Sequence, residues 1–124
     1  MNGVDLFIDT NICIYLLNGD VKLANLLQDQ NIHISFITEI ELYAFHGQTN
    51  ESEKVLNDFI SSVTVFDVTH YIKHRTIHIR KQFKLKLPDS IIAASALTKQ
   101  LPFITADKNF KKIPELELFL YEHI

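Results

Sequence analysis

The sequence predicts an α/β domain in which helices cover both faces of a parallel sheet, and three observations predict it. Short apolar, β-branched runs alternate with stretches whose apolar residues recur every three to four positions. Strands separated by helices pair in parallel through right-handed crossovers, which leaves helices on the sheet's faces. The three glycines and three prolines are scattered rather than gathered into a linker, so all 124 residues are read as one domain. With 47% apolar and 22% charged residues the chain can bury a core and is not of the disordered class.

Residues 4–9 (VDLFID) read as the first strand, and 11–17 as a helix closed near Asn18-Gly19. Residues 21–28 carry Val21, Leu23, Ala24, Leu26 and Leu27, the pattern of a helix packed on one face. A short strand follows at 33–36, then a helix over 39–45 that ends before Gly47. Residues 51–61 are helical by Val55, Leu56, Phe59 and Ile60, and the β-branched run 63–68 is a strand. From about Thr69 to Leu85 a long helix places Ile72, Thr76, Ile79 and Phe83 on one face. Pro88 stops what precedes it. Residues 89–99 form a further helix, and 103–105 and 116–120 the last strands.

Several classes are excluded at this level. No apolar run approaches the roughly 18 residues that span a bilayer. The N-terminal residues lack a basic stretch followed by an apolar one, so a cytoplasmic protein is expected. The single cysteine, Cys13, sits among Ile12, Ile14 and Tyr15 as a buried hydrophobe and rules out a disulfide framework. The net charge of −3 does not suit nonspecific coating of nucleic acid. It conceals an asymmetry, however. Lys73, Arg75, Arg80, Lys81, Lys84 and Lys86 are half of the 12 basic residues and have no acid among them, and Lys108, Lys111 and Lys112 form a second cluster.

Open parallel sheets bind ligands beyond the carboxyl ends of their strands. Four acids fall there. Asp9 ends the first strand, Glu41 lies in the first turn of the helix after the second, Asp89 follows Pro88 at a helix start, and Asp107 follows the strand of PFITADKNF. Each has an ordinary structural explanation. Asp9 suits an N-cap, and Thr38-x-x-Glu41 matches a capping box. Asp89 is favoured by the helix dipole, and Asp107 suits an Asx-turn. Glu39, Glu115, Glu117 and Glu122 read as solvent-facing charges. Four acids at one sheet edge, however, crowd negative charge into one cleft, a conflict that a divalent cation resolves. Mg²⁺ and Mn²⁺ prefer such hard oxygen ligands. A soft-metal site is disfavoured by the single cysteine.

The segments FIDTNICIYLLNG, ISFITEIEL, LKLPDSIIAASAL and FITADKNF, in this order and spacing, resemble the PIN-domain family, and within it the small VapC-type toxins of bacterial toxin–antitoxin pairs. The likeness spans essentially the whole chain. It implies a PIN-like three-layer α/β/α sandwich with a central parallel sheet, and metal-dependent RNA cleavage. Asp9, Glu41, Asp89 and Asp107 would take the four acidic positions. It further implies a VapB-like antitoxin that covers the acidic cleft, and a second copy of the chain as homodimer partner. Two departures stand out: the glycine of LYAFHG comes two residues later than is usual, and Asn109 replaces a frequently acidic residue.

The implied chemistry is phosphodiester hydrolysis by water that one or two Mg²⁺ or Mn²⁺ ions acidify and align. Asp9, Asp89 and Asp107 are the candidate ligands, and Glu41 acts through water or positions the nucleophile. Asn11 and Thr105 orient a carboxylate or touch phosphate. Arg75, Arg80, Lys81, Lys84, Lys108 and Lys111 would hold the RNA backbone without reading sequence. His70, His74 and His78, at i, i+4 and i+8, read as a surface stripe. Tyr15, Leu16, Leu23 and Leu27 are mostly core, with some left for a dimer or antitoxin groove. The alternatives are a catalytically silent PIN-fold binding module, a receiver-type domain with Asp67 as phosphoacceptor, and an aspartyl phosphotransferase with Asp9 as nucleophile. The last lacks its second acid, since Asn11 stands in that place.

Overall fold

The computed structural model describes residues 3–45 and 49–123. Its five strands are β1 (Asp5–Ile8), β2 (Asn31–Ser35), β3 (Thr64–Phe66), β4 (Phe103–Thr105) and β5 (Leu118–Leu120). All pair in parallel, in the order β3-β2-β1-β4-β5. Six α-helices connect them: α1 (Thr10–Leu17), α2 (Val21–Leu27), α3 (Phe36–Phe45), α4 (Asn50–Ser62), α5 (His70–Gln82) and α6 (Leu87–Lys99). A 3₁₀ turn, Lys108–Lys112, joins β4 to β5. This order excludes the receiver-type alternative, whose sheet runs 2-1-3-4-5.

The two-residue period of the strands divides the core into two layers. Phe7 and Phe103 point to one face, where they pack with Ile72, Ile79, Ile92 and Ala93 of α5 and α6. Ile8, Ile34 and Ile104 point to the other and pack with Ile12, Leu23, Leu42 and Leu56 of α1 to α4. Cys13, Leu23 and Leu27 are buried, and Tyr15 and Leu16 are partly buried against the same layer. The result is the expected three-layer sandwich.

Helix starts follow local chemistry. Asp9, Asp20, Thr49 and Thr69 each accept a backbone N–H from the first turn they precede. Pro88 sits in the first turn of α6, where its missing N–H costs nothing. Several boundaries differ from expectation: β2 starts at Asn31, β3 spans only Thr64–Phe66 and α6 starts at Leu87, and three further differences follow. α5 stops at Gln82 because Phe83 turns extended and Leu85 is drawn into the core. Arg80 fixes that turn by donating from Nη1 to the Leu85 carbonyl (2.7 Å). β5 is shorter than expected, beginning at Leu118.

α3 begins at Phe36, directly after β2, with the Ser35 hydroxyl accepting from the Ile37 N–H (3.1 Å). Glu41 therefore lies in the second turn of α3 rather than the first. Thr38 lies inside the helix, so the expected Thr38–Glu41 capping box does not form. The same early start leaves Glu39 half-buried rather than solvent-facing. Glu115, Glu117 and Glu122 are exposed as expected. The helix end expected before Gly47 lies outside the described residues; α3 runs to Phe45.

Candidate active site

The chain leaves β1 toward β2 and β3 on one side, then returns across the sheet through α5 and α6 to place β4 on the other. β1 and β4 thus flank the point where strand order reverses, the usual crevice of an open α/β sheet. The register Ile8↔Ile104 sets Asp9 and Thr105 side by side at its mouth.

Asp9 is 4% exposed. Its Oδ1 accepts the Ile12 N–H (3.1 Å) as the cap of α1, and its Oδ2 accepts a short hydrogen bond from the Thr105 hydroxyl. Thr105 Oγ1 in turn accepts the Asp107 N–H (3.0 Å), and Asp107 Oδ1 accepts the Asn109 N–H (2.9 Å). The Asx-turn expected at Asp107 is present, and so is the N-cap expected at Asp9. Capping occupies one oxygen of each carboxylate, so the structural explanation and the functional one hold together.

Glu41 is held from α1. Thr10 Oγ1 donates to Glu41 Oε1 (2.5 Å) and stands 3.1 Å from Thr38 Oγ1. Asp89, in the first turn of α6, completes the set. A cavity of about 250 Å³ is lined by Asp9, Glu41, Asp89 and Asp107 together with Asn11 and Phe45. No lysine, arginine or histidine lines it among the described residues.

Burial pushes the Asp9 carboxyl up to about 6, the charges of Asp107 and Asp89 adding to the rise, while the Thr105 and Ile12 hydrogen bonds oppose it. Asp89 is also raised, by burial first and then by Asp107 and Glu41, with Lys86 acting the other way. The acids therefore feel one another across the cavity. As donors they are all hard oxygens, which fits Mg²⁺ or Mn²⁺ in kind. Among the described residues no three His, Cys, Asp or Glu side chains are already drawn together as ligands of one ion. Carboxylates that lack a counter-charge stand apart.

The expected supporting residues are both here: Thr105 buried against Asp9, Asn11 exposed on the cavity wall. Two residues escaped sequence reasoning. Thr10, next to Asp9 in the DTN triplet, carries the hydroxyl that holds Glu41. Phe45, 74% exposed at the cavity wall, had no sequence signal that distinguishes it from core.

The basic residues divide. Arg80, Lys81 and Lys84 are exposed around the α5–α6 turn that leads into Asp89. Lys112 Nζ donates to the Lys84 carbonyl (3.0 Å), so the two basic clusters meet. Lys111 is exposed on the 3₁₀ turn. Lys108 faces a separate cavity with Tyr15 and Tyr121. Arg75 lies elsewhere, beside Leu97 and Glu115. Leu97 is eight residues, about 12 Å, along α6 from Asp89. The histidine stripe is exposed, with the His70 and His74 rings 4.3 Å apart.

A parallel sheet with this reversal and four acids at it defines a class of α/β domain with an acidic crevice. The PIN domain model matches residues 6–116, and the chain belongs to that family. Among solved structures it is similar to a toxin–antitoxin complex from Klebsiella pneumoniae, with 30% identity and a TM-score of 0.83 over 95% of this chain and 99% of that one. It is also similar to VapBC2 from Rickettsia felis bound to a DNA fragment from their promoter (26%, TM-score 0.81, 96% and 99% covered). DNA-bound VapBC from Salmonella typhimurium gives 25% and 0.79, with 96% and 98% covered. The likeness is thus to PIN domains of the VapC type. Comparison with curated protein sequences gave no match.

Proposed function

We propose that the chain is the toxin of a toxin–antitoxin pair, a Mg²⁺- or Mn²⁺-dependent endoribonuclease acting in the cytoplasm. The observation that carries this reading is the meeting of four carboxylates from four separate segments on one cavity that, among the described residues, no basic side chain lines. The family supports nuclease chemistry, and the VapBC neighbours support a VapB-like antitoxin as partner. A second copy of this chain is proposed as homodimer partner.

Asp9, Asp89 and Asp107 would hold the ion or ions, and Glu41 would orient water or bind through it. A bound ion supplies Lewis-acid polarisation of the phosphodiester and a water of lowered pKa. The chain's own residues do the positioning. Thr105 aims the Asp9 carboxylate by donating to Oδ2 while the Asp107 N–H fixes the threonine oxygen. Thr10 locks Glu41 to the start of α1. Buried acids of raised pKa release protons when a cation takes their place, so ion binding strengthens as pH rises through about 6. Arg80, Lys81 and Lys84, exposed around the turn that leads into Asp89, supply backbone attraction for RNA.

The test incubates purified protein with total bacterial RNA in Mn²⁺, in Mg²⁺ and in EDTA, beside Asp89→Asn, and maps RNA ends by sequencing. Discrete metal-dependent 5′-phosphate ends that the variant does not produce are expected. Identical ends from wild type and variant would leave the silent binding module in its place.

A further inference from the structure

A second cavity, about 620 Å³, is lined by sequence neighbours of residues that line the acidic one. Ile14 lines the first and Tyr15 the second; Asp107 lines the first, Ala106 and Lys108 the second. We infer that this second cavity, walled by Tyr15, Lys22, Lys108, Tyr121 and His123, is a nucleotide subsite for the RNA residue flanking the cleaved bond. The inference rests on the nuclease reading for what is bound.

Its aromatic floor is already assembled. The Tyr15 and His123 rings lie 3.9 Å apart at 6°, a parallel stack. The His123 side chain is 45% exposed, so the stacked imidazole is partly open to solvent. A nucleobase extends such a stack whatever its identity, the usual means of holding single strands without reading sequence. Lys22 Nζ stands 5.2 Å from the centre of the Tyr121 ring, and Lys108 is exposed on the adjoining turn. Two ammonium groups beside an aromatic platform match the base of one nucleotide and the two phosphates that flank it.

Two acids border the cavity, and one is spoken for. Asp20 Oδ2 accepts from the Tyr121 hydroxyl (2.8 Å) and pairs with His123 Nδ1 (2.8 Å), while Oδ1 accepts the Leu23 N–H (3.0 Å). Asp20 is therefore a positioning residue that fixes both rings before any ligand arrives. Glu122 is exposed among the lining residues. A latch that merely fastened the C-terminal segment to α2 would account for Asp20 and Tyr121. It would not account for the two lysines or for the partly exposed imidazole.

The test measures fluorescence anisotropy of a short fluorescein-labelled single-stranded RNA of mixed sequence. Asp89→Asn protein in EDTA serves as the uncleaving background. Replacing Lys22 and Lys108 together by alanine should weaken binding about tenfold and flatten the log–log salt dependence by roughly 1.4, about 0.7 per phosphate contact. His123→Ala should weaken it about fivefold or more, and His123→Phe, which keeps a ring, should recover most of the loss. Unchanged affinity in all three variants overturns the subsite, as does a loss confined to the lysine pair. Cleavage of total RNA by wild type is scored separately. Absent cleavage with these affinity losses intact would sink the nuclease and keep the RNA subsite; cleavage without them would do the reverse.

Discussion

The acidic cavity and the groove along α5 make an instructive pair. The groove is far larger, about 920 Å³ against 250 Å³, and collects His70, His74, His78 and Arg75 along with Tyr71 and Phe83. Its polar groups all come from one exposed helix face apart from Thr98 and Glu115. The acidic cavity draws its carboxylates from four segments far apart in sequence, and holds Asp9, Glu41 and Asp107 with hydrogen bonds through Thr10 and Thr105. Volume ranks the groove first, whereas the convergence of carboxylates singles out the smaller cavity. Convergence of charge at the strand reversal is the better guide.

The largest effect expected is on cleavage. Asp9→Asn or Asp89→Asn should lower the rate about a thousandfold, near 4 kcal/mol in the barrier, whereas His74→Ala in the groove should change it less than twofold. A groove variant that lost activity as an acid variant does would erase the contrast. The readout is the rate of appearance of metal-dependent RNA ends.

The next effect is on stability against pH in metal-free protein. The Asp9 carboxyl rises from 3.8 to about 6 on folding, so the folded state holds this proton more tightly than the unfolded one. Its stabilising contribution is complete below pH 3.8 and is lost as pH rises through 6, a change of about 3 kcal/mol. Urea unfolding in EDTA should therefore show wild type losing stability relative to Asp9→Asn between pH 4 and 7.5. Parallel curves for the two proteins would contradict the buried, unneutralised carboxylate.

Thr105→Val removes the hydroxyl between Asp9 and Asp107 while nearly preserving shape. A buried N–H and a carboxylate oxygen lose their partner, which should cost about 1–3 kcal/mol in thermal unfolding. Thr105→Ser should recover most of it. The smallest effect concerns the basic turn. Lys81→Glu should weaken RNA binding severalfold and reduce the salt slope, whereas Arg75→Glu, on the groove side, should do so less. Equal effects from both positions would place RNA along the whole of α5.

Much of the fold was legible because its signals are local. Alternating apolar runs marked the strands of β1 and β4, and Pro88 and Thr69 marked the helix starts of α6 and α5. The α3 start was missed because Ser35 serves as both the last strand residue and the acceptor for the Ile37 N–H, which leaves no loop to read. Glu41 was read as a candidate and does line the acidic cavity, yet its partner was misjudged. A capping box is a short-range pattern, and the hydroxyl that actually holds Glu41 comes from 31 residues away. Lys108 and Arg75 look alike in sequence, but only the packing of α5 and of the turn after β4 separates their surroundings.

By itself the sequence determined the alternation of strand and helix, the parallel sheet that follows from it, and the four acids at the ends of elements. Periodicity and capping are properties of a few neighbouring residues, and the chain carries them openly. Only the tertiary structure decided that the sheet reverses between β1 and β4, that Thr105 meets Asp9 and Thr10 meets Glu41, and that Tyr15 and His123 stack. Those contacts join residues 31 to 108 positions apart. Their formation depends on how two apolar layers pack against one sheet, which no local pattern encodes.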